Sequence, residues 1–357
     1  MKRTCSARGE PRCYAAPIRP SLLLAVVALI GGALSCAPAD GEAPRPRSPR
    51  GTKPRLATAA PGNPDRAPLT RRATLRYEIR GKPFPLPIVM GTIAGQPVAM
   101  LVDTGANSHV IAGWFARKHA LPMKKLGDIG TDHVGRTIAT FRVDKPDMAI
   151  DEWGKLSVST VLATEVPEVI EKLGIGAFIS PQRLVEEGDS VWLDLTKGEL
   201  RSAWWEEAFP DLPELGAPFV WGADQGHACE ENEGPVKGLA YVVPATVETQ
   251  RVQLLVDTGA QHSDVFASSS AGQKLLAQSV ANKEPMYTAS GKISARKLKG
   301  ARVTAGSFSI TSDVDLIQGA ADGSCPRDGV LAMDVLRACT LLLGRTKVAG
   351  RCLATPR

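Results

Sequence analysis

Residues 88–106 read IVMGTIAGQPVAMLVDTGA, and residues 242–260 read VVPATVETQRVQLLVDTGA. Aligned without a gap, the two stretches agree at 10 of 19 positions and share the run Leu-Val-Asp-Thr-Gly-Ala. The constant offset of 154 residues pairs Asp103 with Asp257. A repeated segment of this kind indicates a duplicated structural unit. The sequence therefore predicts two similar lobes, each of which presents one carboxylate.

The residues around each Asp-Thr-Gly run predict β-structure. In the first copy, apolar and β-branched residues at 84–93 are followed by turn residues at 94–97 and by an apolar run that ends at Asp103. The second copy keeps this order. The distance from Asp103 to Gly174 is 71 residues and that from Asp257 to Gly329 is 72, so Gly174-Ile175-Gly176 is taken as a shortened counterpart of the segment at 329–332. Short strands and few helical stretches predict an all-β fold in two similar halves with a few short helices.

The distribution of charge argues against a nucleic-acid partner. The formal net charge of the 357 residues is +6. Residues 1–72 hold 13 Lys and Arg against 4 Asp and Glu, whereas the remainder holds 30 against 33. The basic excess therefore precedes the part of the chain that is predicted to fold. That part shows no basic patch interleaved with aromatic residues, and we expect no nucleic-acid binding.

The N-terminal residues predict an export signal over residues 1–36. Five basic residues precede the apolar run at 22–30. This run is shorter than the roughly 20 residues that a membrane-spanning helix needs, and no stop-transfer pattern follows it. The small residues at 31–35 resemble a bacterial lipoprotein processing site, in which cleavage leaves Cys36 as a lipidated N-terminus. A plain secretory signal that is cleaved nearby is the alternative. We expect a periplasmic or cell-surface protein, held to a bacterial membrane by lipid if Cys36 is modified.

Residues 37–72 predict an extended tether between the signal and the folded part. The segment carries eight prolines, many arginines and few large apolar residues. Such a composition cannot bury enough surface to offset the entropy of ordering the chain. A cleavable pro-segment is the alternative. The N-terminal lobe is then expected at 73–215 and the C-terminal lobe at 216–357.

The cysteine count supports export. Of seven cysteines, two lie in the signal and Cys36 is the candidate lipid site, which leaves four in the second half of the chain. An even number in an oxidising compartment predicts two disulfides, with three connectivities open. Cys339 and Cys352 flank a predicted hairpin and form the favoured pair, so that Cys229 and Cys325 are paired by elimination. His227 near Cys229 raises metal binding as a competing idea, but the spacing required for a zinc site is missing, and no metal is expected.

The two motifs together resemble the aspartic peptidases, specifically the retropepsin-like kind found in bacteria. The likeness rests on the apolar run into Asp-Thr-Gly-Ala and on the later segment DGVLAMDVL at 328–336, and it covers most of 84–205 and 238–353. The resemblance implies closed β-barrel-like lobes that face each other across an active-site cleft, with flap hairpins near 131–138 and 288–294. The corresponding flap candidates are Val134, Gly135, Ser290 and Gly291.

The resemblance also assigns roles around the two aspartates, and these roles suit peptide hydrolysis. Asp103 and Asp257 would be the catalytic pair, because two carboxylates held about 3 Å apart share one proton and can act as acid and base on one water. No cofactor is needed. Thr104 and Thr258 would hydrogen-bond across the lobe junction, and Gly105 and Gly259 would let backbone N–H groups reach the carboxylates. The histidines His109, His133 and His262 are expected on the surface or in loops.

The alanines beside the motifs generate two further expectations. Ala106 and Ala260 stand where many acid-active relatives have Ser or Thr, whose hydroxyl stabilises a carboxylate. Without that donor the pair is expected to titrate higher and to act at milder pH. Ala332 replaces a glycine that is common in the family, and it is expected to crowd the loop that carries Asp257.

Three classes of function follow. The first is an exported aspartic endopeptidase acting on peptides or proteins, and it is expected to be a monomer because one chain supplies both carboxylates. The second, motivated by Ala332, is a peptide-binding module on the same scaffold without turnover. The third is a structural cell-surface lipoprotein, in which Asp103 and Asp257 would lie far apart.

Overall fold

The computed structural model describes residues 68–132, 134–185, 187–212, 219–222, 227–233, 236–282, 285–289, 291–319 and 326–353. The predicted signal peptide, most of the predicted tether and Cys36 lie outside these residues. So do Ser290 and Cys325, together with His133.

Short β-strands make up most of the described chain. In chain order they are β1 (Arg72–Thr74), β2 (Arg76–Ile79), β3 (Lys82–Ile93), β4 (Gln96–Val102), β5 (Val110–Ala112), β6 (Met123–Thr131), β7 (Thr137–Asp144), β8 (Met148–Ile150), β9 (Gly154–Lys155), β10 (Thr160–Thr164), β11 (Ile175–Ile179), β12 (Ser190–Asp194), β13 (Glu199–Ala203), β14 (Phe219–Gly222), β15 (His227–Glu233), β16 (Val236–Val247), β17 (Gln250–Val256), β18 (Asp264–Phe266), β19 (Val280–Ala281), β20 (Met286–Thr288), β21 (Gly291–Ile293), β22 (Ala295–Ala305), β23 (Phe308–Ile317), β24 (Gly329–Leu331), β25 (Cys339–Gly344) and β26 (Lys347–Cys352). The predicted all-β fold is confirmed.

The helices of the described residues are short. They are α1 (Gly113–Lys118), α2 (Glu168–Leu173), α3 (Trp205–Ala208), α4 (Ser270–Leu276) and α5 (Met333–Leu336), with a 3₁₀ turn at Pro181–Arg183. The sequence predicts a short helix at 112–120 in the first lobe and at about 271–279 in the second, and α1 and α4 form at these two places. None of the helices in this part of the chain is long and apolar enough to cross a membrane.

The first lobe is built on a sheet in which the strands run in the order β6-β7-β10-β5-β11-β4-β3-β8-β9, with β2 paired to β3. Strands β3 and β4 form the predicted hairpin, in which Ile88 lies opposite Leu101. Strand β11 then runs parallel to β4 and covers its other side. Because β4 lies inside the sheet, Met100, Leu101 and Val102 are all buried, and the strand is a continuous apolar run that ends at Asp103.

The second lobe repeats this plan in a sheet of order β15-β16-β17-β24-β18-β23-β22-β19. Strands β16 and β17 form the hairpin, and β24 runs parallel to β17 as β11 does to β4. Leu254, Leu255 and Val256 are buried in the same way before the chain reaches Asp257. The duplication in the sequence is therefore a duplication of strand pairing.

A third sheet joins the two halves of the chain. Its strands run in the order β1-β13-β12-β25-β26-β14, and β12 pairs antiparallel with β25, with Asp194 opposite Thr340. Trp205 packs against this sheet in a cluster that contains Leu342 and Ala349. The first three strands of this order come from the predicted N-terminal lobe and the last three from the predicted C-terminal lobe, so the pairing of β12 with β25 fixes the lobes to each other. The expected lobe limits at residues 215 and 216, and the closure of each lobe into a barrel, stay predictions.

A disulfide between Cys339 and Cys352 staples the last hairpin, as predicted. The two residues lie directly opposite each other on β25 and β26, and both are buried. The second predicted pair, Cys229 with Cys325, involves a residue outside the described chain.

Removing the disulfide is expected to destabilise the protein. The bond spans a sequence separation of 13 residues, so its loss should lower the free energy of unfolding by about 2–3 kcal/mol through the entropy of the unfolded chain. Urea unfolding followed by tryptophan fluorescence measures this loss for Cys339→Ala, Cys352→Ala and the double variant. Each single variant should lose nearly as much as the double variant, because either one removes the bond. Independent, additive losses would contradict this prediction.

Candidate active site

Each repeated Asp-Thr-Gly run forms a loop at the end of a buried strand. Asp103 follows β4, and its backbone N–H donates to the carbonyl oxygen of Ile179 at 2.8 Å. Asp257 follows β17, and its N–H donates to the carbonyl oxygen of Leu331 at 3.0 Å. Both acceptors end the parallel neighbouring strand of their own lobe. The two aspartates therefore occupy equivalent positions in the two lobes.

The carboxyl groups of Asp103 and Asp257 meet where the two loops face each other. Each one lies against the glycine of the opposite loop. A Cβ atom at residue 105 would lie 2.6 Å from Asp257 Oδ1, and a Cβ atom at residue 259 would lie 2.6 Å from Asp103 Oδ1. Any side chain at Gly105 or Gly259 would therefore displace a carboxyl group, which explains why both positions hold glycine.

Four hydrogen bonds between Thr104 and Thr258 and their surroundings cross the junction. The N–H of Thr104 donates to Thr258 Oγ1 at 3.1 Å, and the N–H of Thr258 donates to Thr104 Oγ1 at 3.0 Å. Thr104 Oγ1 in turn donates to the carbonyl of Val256, and Thr258 Oγ1 to that of Val102, both at 2.7 Å. Both threonines are fully buried. The two loops are thus joined into one unit, and breaking any of these bonds would leave a buried polar group unsatisfied.

Backbone N–H groups orient both carboxyl groups through their Oδ1 atoms. Asp103 Oδ1 accepts from the N–H of Ala106 at 3.0 Å. Asp257 Oδ1 accepts from the N–H groups of Gly259 at 2.7 Å and Ala260 at 3.1 Å. These bonds favour the charged form of each group and fix the rotation of its side chain.

Burial and mutual contact control the protonation of the pair. Both aspartates are fully buried. Burial raises the pKa of Asp103 well above its ordinary value, and the charge of Asp257 and a hydrogen bond with its side chain raise that pKa further. The backbone N–H groups of Ala106 and Gly105 lower it in part. Two carboxylates in contact cannot both ionise readily, so the pair retains one proton and offers a proton donor beside a proton acceptor.

Ala332 fits its surroundings, and the expectation that it crowds the loop of Asp257 is wrong. The residue is fully buried in a small apolar cluster that contains Ala260 and Val330. Its N–H donates to Ser263 Oγ at 3.0 Å. The loop keeps its hydrogen bonds to Asp257 Oδ1 beside this alanine, so a Cβ atom is accommodated without loss of the site.

The expected equivalence of Gly174-Ile175-Gly176 with the segment at 329–332 is also wrong. Met100 lies opposite Ala177, whereas its counterpart Leu254 lies opposite Gly329. The true counterpart of Ala332 is consequently Ser180. The spacings of 71 and 72 residues from each aspartate to its glycine predicted the wrong equivalence. The reason is an irregularity in β11 between Ile175 and Ala177, which the sequence does not reveal.

Four polar side chains for which the sequence predicted no role in the site support the two loops: His109, Ser263, Gln182 and Asp334. Of these, Asp334 lies within the segment DGVLAMDVL. His109 Nδ1 accepts from the N–H of Ser180 at 3.1 Å. In the second lobe, Ser263 Oγ accepts in the equivalent way from the N–H of Ala332 at 3.0 Å. The offset of 154 residues relates His109 to Ser263 and was the one signal available for them.

His109 is buried, which corrects the expectation of a surface position. Burial, together with the nearby charge of Arg183, lowers the pKa of His109 to about 4. The imidazole is therefore neutral over most of the pH range, and Nδ1 is free of a proton to accept the Ser180 bond. His262, by contrast, is half-buried.

The hairpin of β6 and β7 carries two of the expected flap residues at its tip. Asp132 Oδ1 accepts from the N–H groups of Val134 and Arg136, and the N–H of Gly135 donates to the Asp132 carbonyl, so the turn is ordered by hydrogen bonds. Val134 is buried in an apolar cluster whose other members belong to the second lobe: Phe266, Met286, Ile293, Ala295 and Ile317. The tip of this first-lobe hairpin thus contacts the second lobe.

The second expected flap corresponds to the short hairpin of β20 and β21. Tyr287 lies opposite Lys292, and Gly291 occupies a left-handed backbone conformation at the turn. Met286 and Ile293 of this hairpin belong to the cluster that receives Val134. The two hairpins therefore meet through apolar side chains.

In the described part of the chain, no three His, Cys, Asp or Glu side chains form a group that could hold a metal ion. The chemistry available at the lobe junction is that of the carboxyl pair: it can remove a proton from one reactant and give a proton to another within one small site.

Comparison with known proteins agrees with this geometry. The model of a family described as aspartyl protease matches the chain twice, at residues 89–175 and 243–335, and each match begins shortly before one of the two aspartates. A search of curated proteins found no match. Since the two matched segments cover half of the chain, one in each lobe, the protein belongs to the retropepsin-like aspartyl protease family.

Proposed function

We propose that the protein is an exported aspartic endopeptidase that hydrolyses peptide bonds with a water molecule activated between Asp103 and Asp257. The single observation that supports this most strongly is the contact of two fully buried carboxyl groups, one from each lobe. Burying two carboxyl groups in contact costs free energy of folding unless they share a proton. Peptide hydrolysis uses the same arrangement, because one group can then accept a proton while the other donates one. Membership of the aspartyl protease family supports the same reaction class.

The proposed reaction begins with a water molecule bound to both carboxyl groups. The ionised carboxylate takes a proton from the water as its oxygen attacks the peptide carbonyl carbon. The protonated carboxyl group gives its proton to the carbonyl oxygen, and a tetrahedral diol forms. The pair then gives its proton to the amide nitrogen and takes a proton from one hydroxyl of the diol, and the C–N bond breaks to yield a carboxylic acid and an amine. The pair ends with the one proton that it had at the start.

Acid and base roles belong to the pair rather than to fixed residues. The two carboxyl groups interact strongly, so their apparent pKa values describe shared protonation. Thr104 and Thr258 keep the two loops at a constant separation during the proton transfers. Gly105 and Gly259 provide the space in which the carboxyl groups approach each other.

The flap hairpins are proposed to close over the bound peptide. Val134 at the tip of the first hairpin packs among second-lobe side chains, and such a closure would exclude bulk water from the reacting bond. Exclusion of water strengthens the electrostatic interactions of the carboxyl pair with the developing diol.

The alternatives are weaker on the same observations. A peptide-binding module without turnover was motivated by crowding at Ala332, but Ala332 packs against Ala260 while Asp257 keeps both backbone donors. A structural lipoprotein has no need for two buried carboxyl groups in contact, because such a pair costs stability.

Location and assembly are proposed from the sequence. Residues 1–36 act as an export signal of the lipoprotein type, Cys36 carries the lipid, and the following proline-rich segment holds the enzyme away from the membrane. The substrates are then peptides or proteins at the periplasmic or outer side. A monomer suffices, since one chain supplies both carboxyl groups.

Replacing either aspartate with asparagine is expected to abolish cleavage. Asp103→Asn and Asp257→Asn each remove the shared proton, and kcat should fall by about 100- to 10,000-fold. Digestion of a mixed peptide library, followed by mass spectrometry, measures this. Asp147→Asn is the control, because Asp147 is exposed and its side chain pairs with Lys155. Unchanged cleavage products in either dyad variant would overturn the proposed function.

The pH dependence of kcat should reflect the missing hydroxyl donors at Ala106 and Ala260. Because burial and Asp257 raise the pKa of Asp103, one carboxyl group stays protonated at mild pH, and the rate maximum is expected well above about pH 3. Ala106→Ser and Ala260→Ser add a donor to an ionised carboxylate, which lowers the apparent pKa values and moves the profile to lower pH. Ala349→Ser, buried in the shared sheet, is the control. A wild-type maximum near pH 2–3 would refute this explanation.

A further inference from the structure

Gln182 and Asp334 occupy equivalent positions in the two lobes. Asp103 donates its N–H to Ile179 and Asp257 donates its N–H to Leu331, so these acceptors correspond. Gln182 lies three residues after Ile179, and Asp334 lies three residues after Leu331. The duplicated scaffold therefore places an amide behind one loop and a carboxyl group behind the other.

Gln182 supports the first loop as a hydrogen-bond donor. Its Nε2 lies 3.1 Å from the carbonyl oxygen of Thr104 and 3.0 Å from that of Ala106, the two residues on either side of Gly105. The same Nε2 lies 2.6 Å from the carbonyl oxygen of Leu239, a residue of β16 in the second lobe. The side chain is almost fully buried. One amide group thus links the loop of Asp103 to the opposite lobe.

Asp334 supports the second loop as an acceptor. Its Oδ1 accepts from the N–H of Ser263 at 3.0 Å and from Ser263 Oγ at 2.7 Å, and its Oδ2 accepts from Ser312 Oγ at 2.8 Å. Its own N–H donates to the carbonyl of Gln261. Gln261 and Ser263 follow Ala260, whose N–H binds Asp257 Oδ1. Asp334 therefore fixes the segment that continues directly from the Asp257 loop.

The two contacts have opposite polarity. Three carbonyl oxygens face the Gln182 amide, and carbonyls can only accept, so the group placed among them has to donate. Three donors from Ser263 and Ser312 face Asp334, so the group there has to accept. Exchanging amide for acid changes the shape of a side chain very little, yet it reverses the polarity that the first loop requires.

We propose that Gln182 and Asp334 are positioning residues for the catalytic pair, Gln182 for Asp103 and Asp334 for Asp257. The proposal rests on the proposed peptidase function. Each residue holds the loop of its own lobe, and through that loop it holds the rotation of one carboxyl group. Neither side chain touches the reacting atoms.

The test exchanges acid and amide at both positions. Gln182→Glu places a carboxylate against three carbonyl oxygens, and kcat should fall about tenfold or more with little change in KM. Asp334→Asn keeps Oδ1 for Ser263 and presents an amide to the Ser312 hydroxyl, which can turn to accept. Its kcat should therefore stay within about threefold of wild type. Asp334→Leu, which keeps no acceptor, should lower kcat about tenfold or more.

Hydrogen–deuterium exchange measured by mass spectrometry provides a readout that does not depend on turnover. Gln182→Glu should speed exchange in residues 104–109 while leaving residues 258–263 protected. Asp334→Leu should do the opposite, and Asp334→Asn should change neither loop. Gln273→Glu, on the exposed face of α4, is the matched control and should change neither loop nor kcat. If Gln182→Glu does not fold, Gln182→Met removes the donor at similar length and is expected to release the same loop.

The results separate the positioning roles from the proposed function. Wild-type protein that cleaves no peptide while the exchange is lobe-specific would reject the peptidase and keep the positioning roles. A different result would overturn the positioning roles alone: the wild type cleaves peptides, but Gln182→Glu and Asp334→Leu each speed exchange equally in both loops or in neither loop. Full activity and full protection in both Gln182→Glu and Asp334→Leu would do the same.

Discussion

Two carboxyl groups buried against each other are the constraint on which the rest of the structure depends. Each is withdrawn from water, and each raises the cost of ionising the other, so the arrangement is stable only while the pair keeps a proton. The surrounding hydrogen bonds hold the two carboxyl groups in this arrangement. Backbone N–H groups hold one oxygen of each carboxyl group, and the crossed threonine bonds prevent the two loops from separating.

Duplication provides the two carboxyl groups, but the lobes are not copies in their chemistry. The strand pairing that presents Asp103 is repeated around Asp257. The groups behind the loops differ, with His109 and Gln182 in the first lobe and Ser263 and Asp334 in the second. The shared six-stranded sheet and the contact of Val134 with second-lobe side chains further tie the halves together. A site made from two dissimilar supports can hold its two acids in dissimilar surroundings.

Local sequence patterns predicted the parts of this structure that depend on local chemistry. The hairpin before Asp103 follows from its apolar runs and turn residues, and the Cys339–Cys352 bond follows from the predicted hairpin that the two cysteines flank. The irregularity in β11 could not be predicted from the sequence, because it depends on pairing with β4. The equivalence of Gly174 with Gly329 was therefore predicted wrongly. Gln182 was missed for the same reason: its role arises from three carbonyl groups brought together by tertiary structure. The fit of Ala332 likewise depends on packing against Ala260.

The most direct measurement of the shared proton is a titration by NMR of protein labelled with ¹³C at the aspartate side-chain carboxyl carbons. Comparison with Asp103→Asn and Asp257→Asn assigns the two signals. A shared proton predicts that the signals titrate together in two separated steps, one of them well above the ordinary pKa of an aspartate, and that the upper step disappears in either variant. Two independent titrations at about pH 4, unchanged by removal of the partner, would contradict the contact of the carboxyl groups on which the proposed hydrolysis depends.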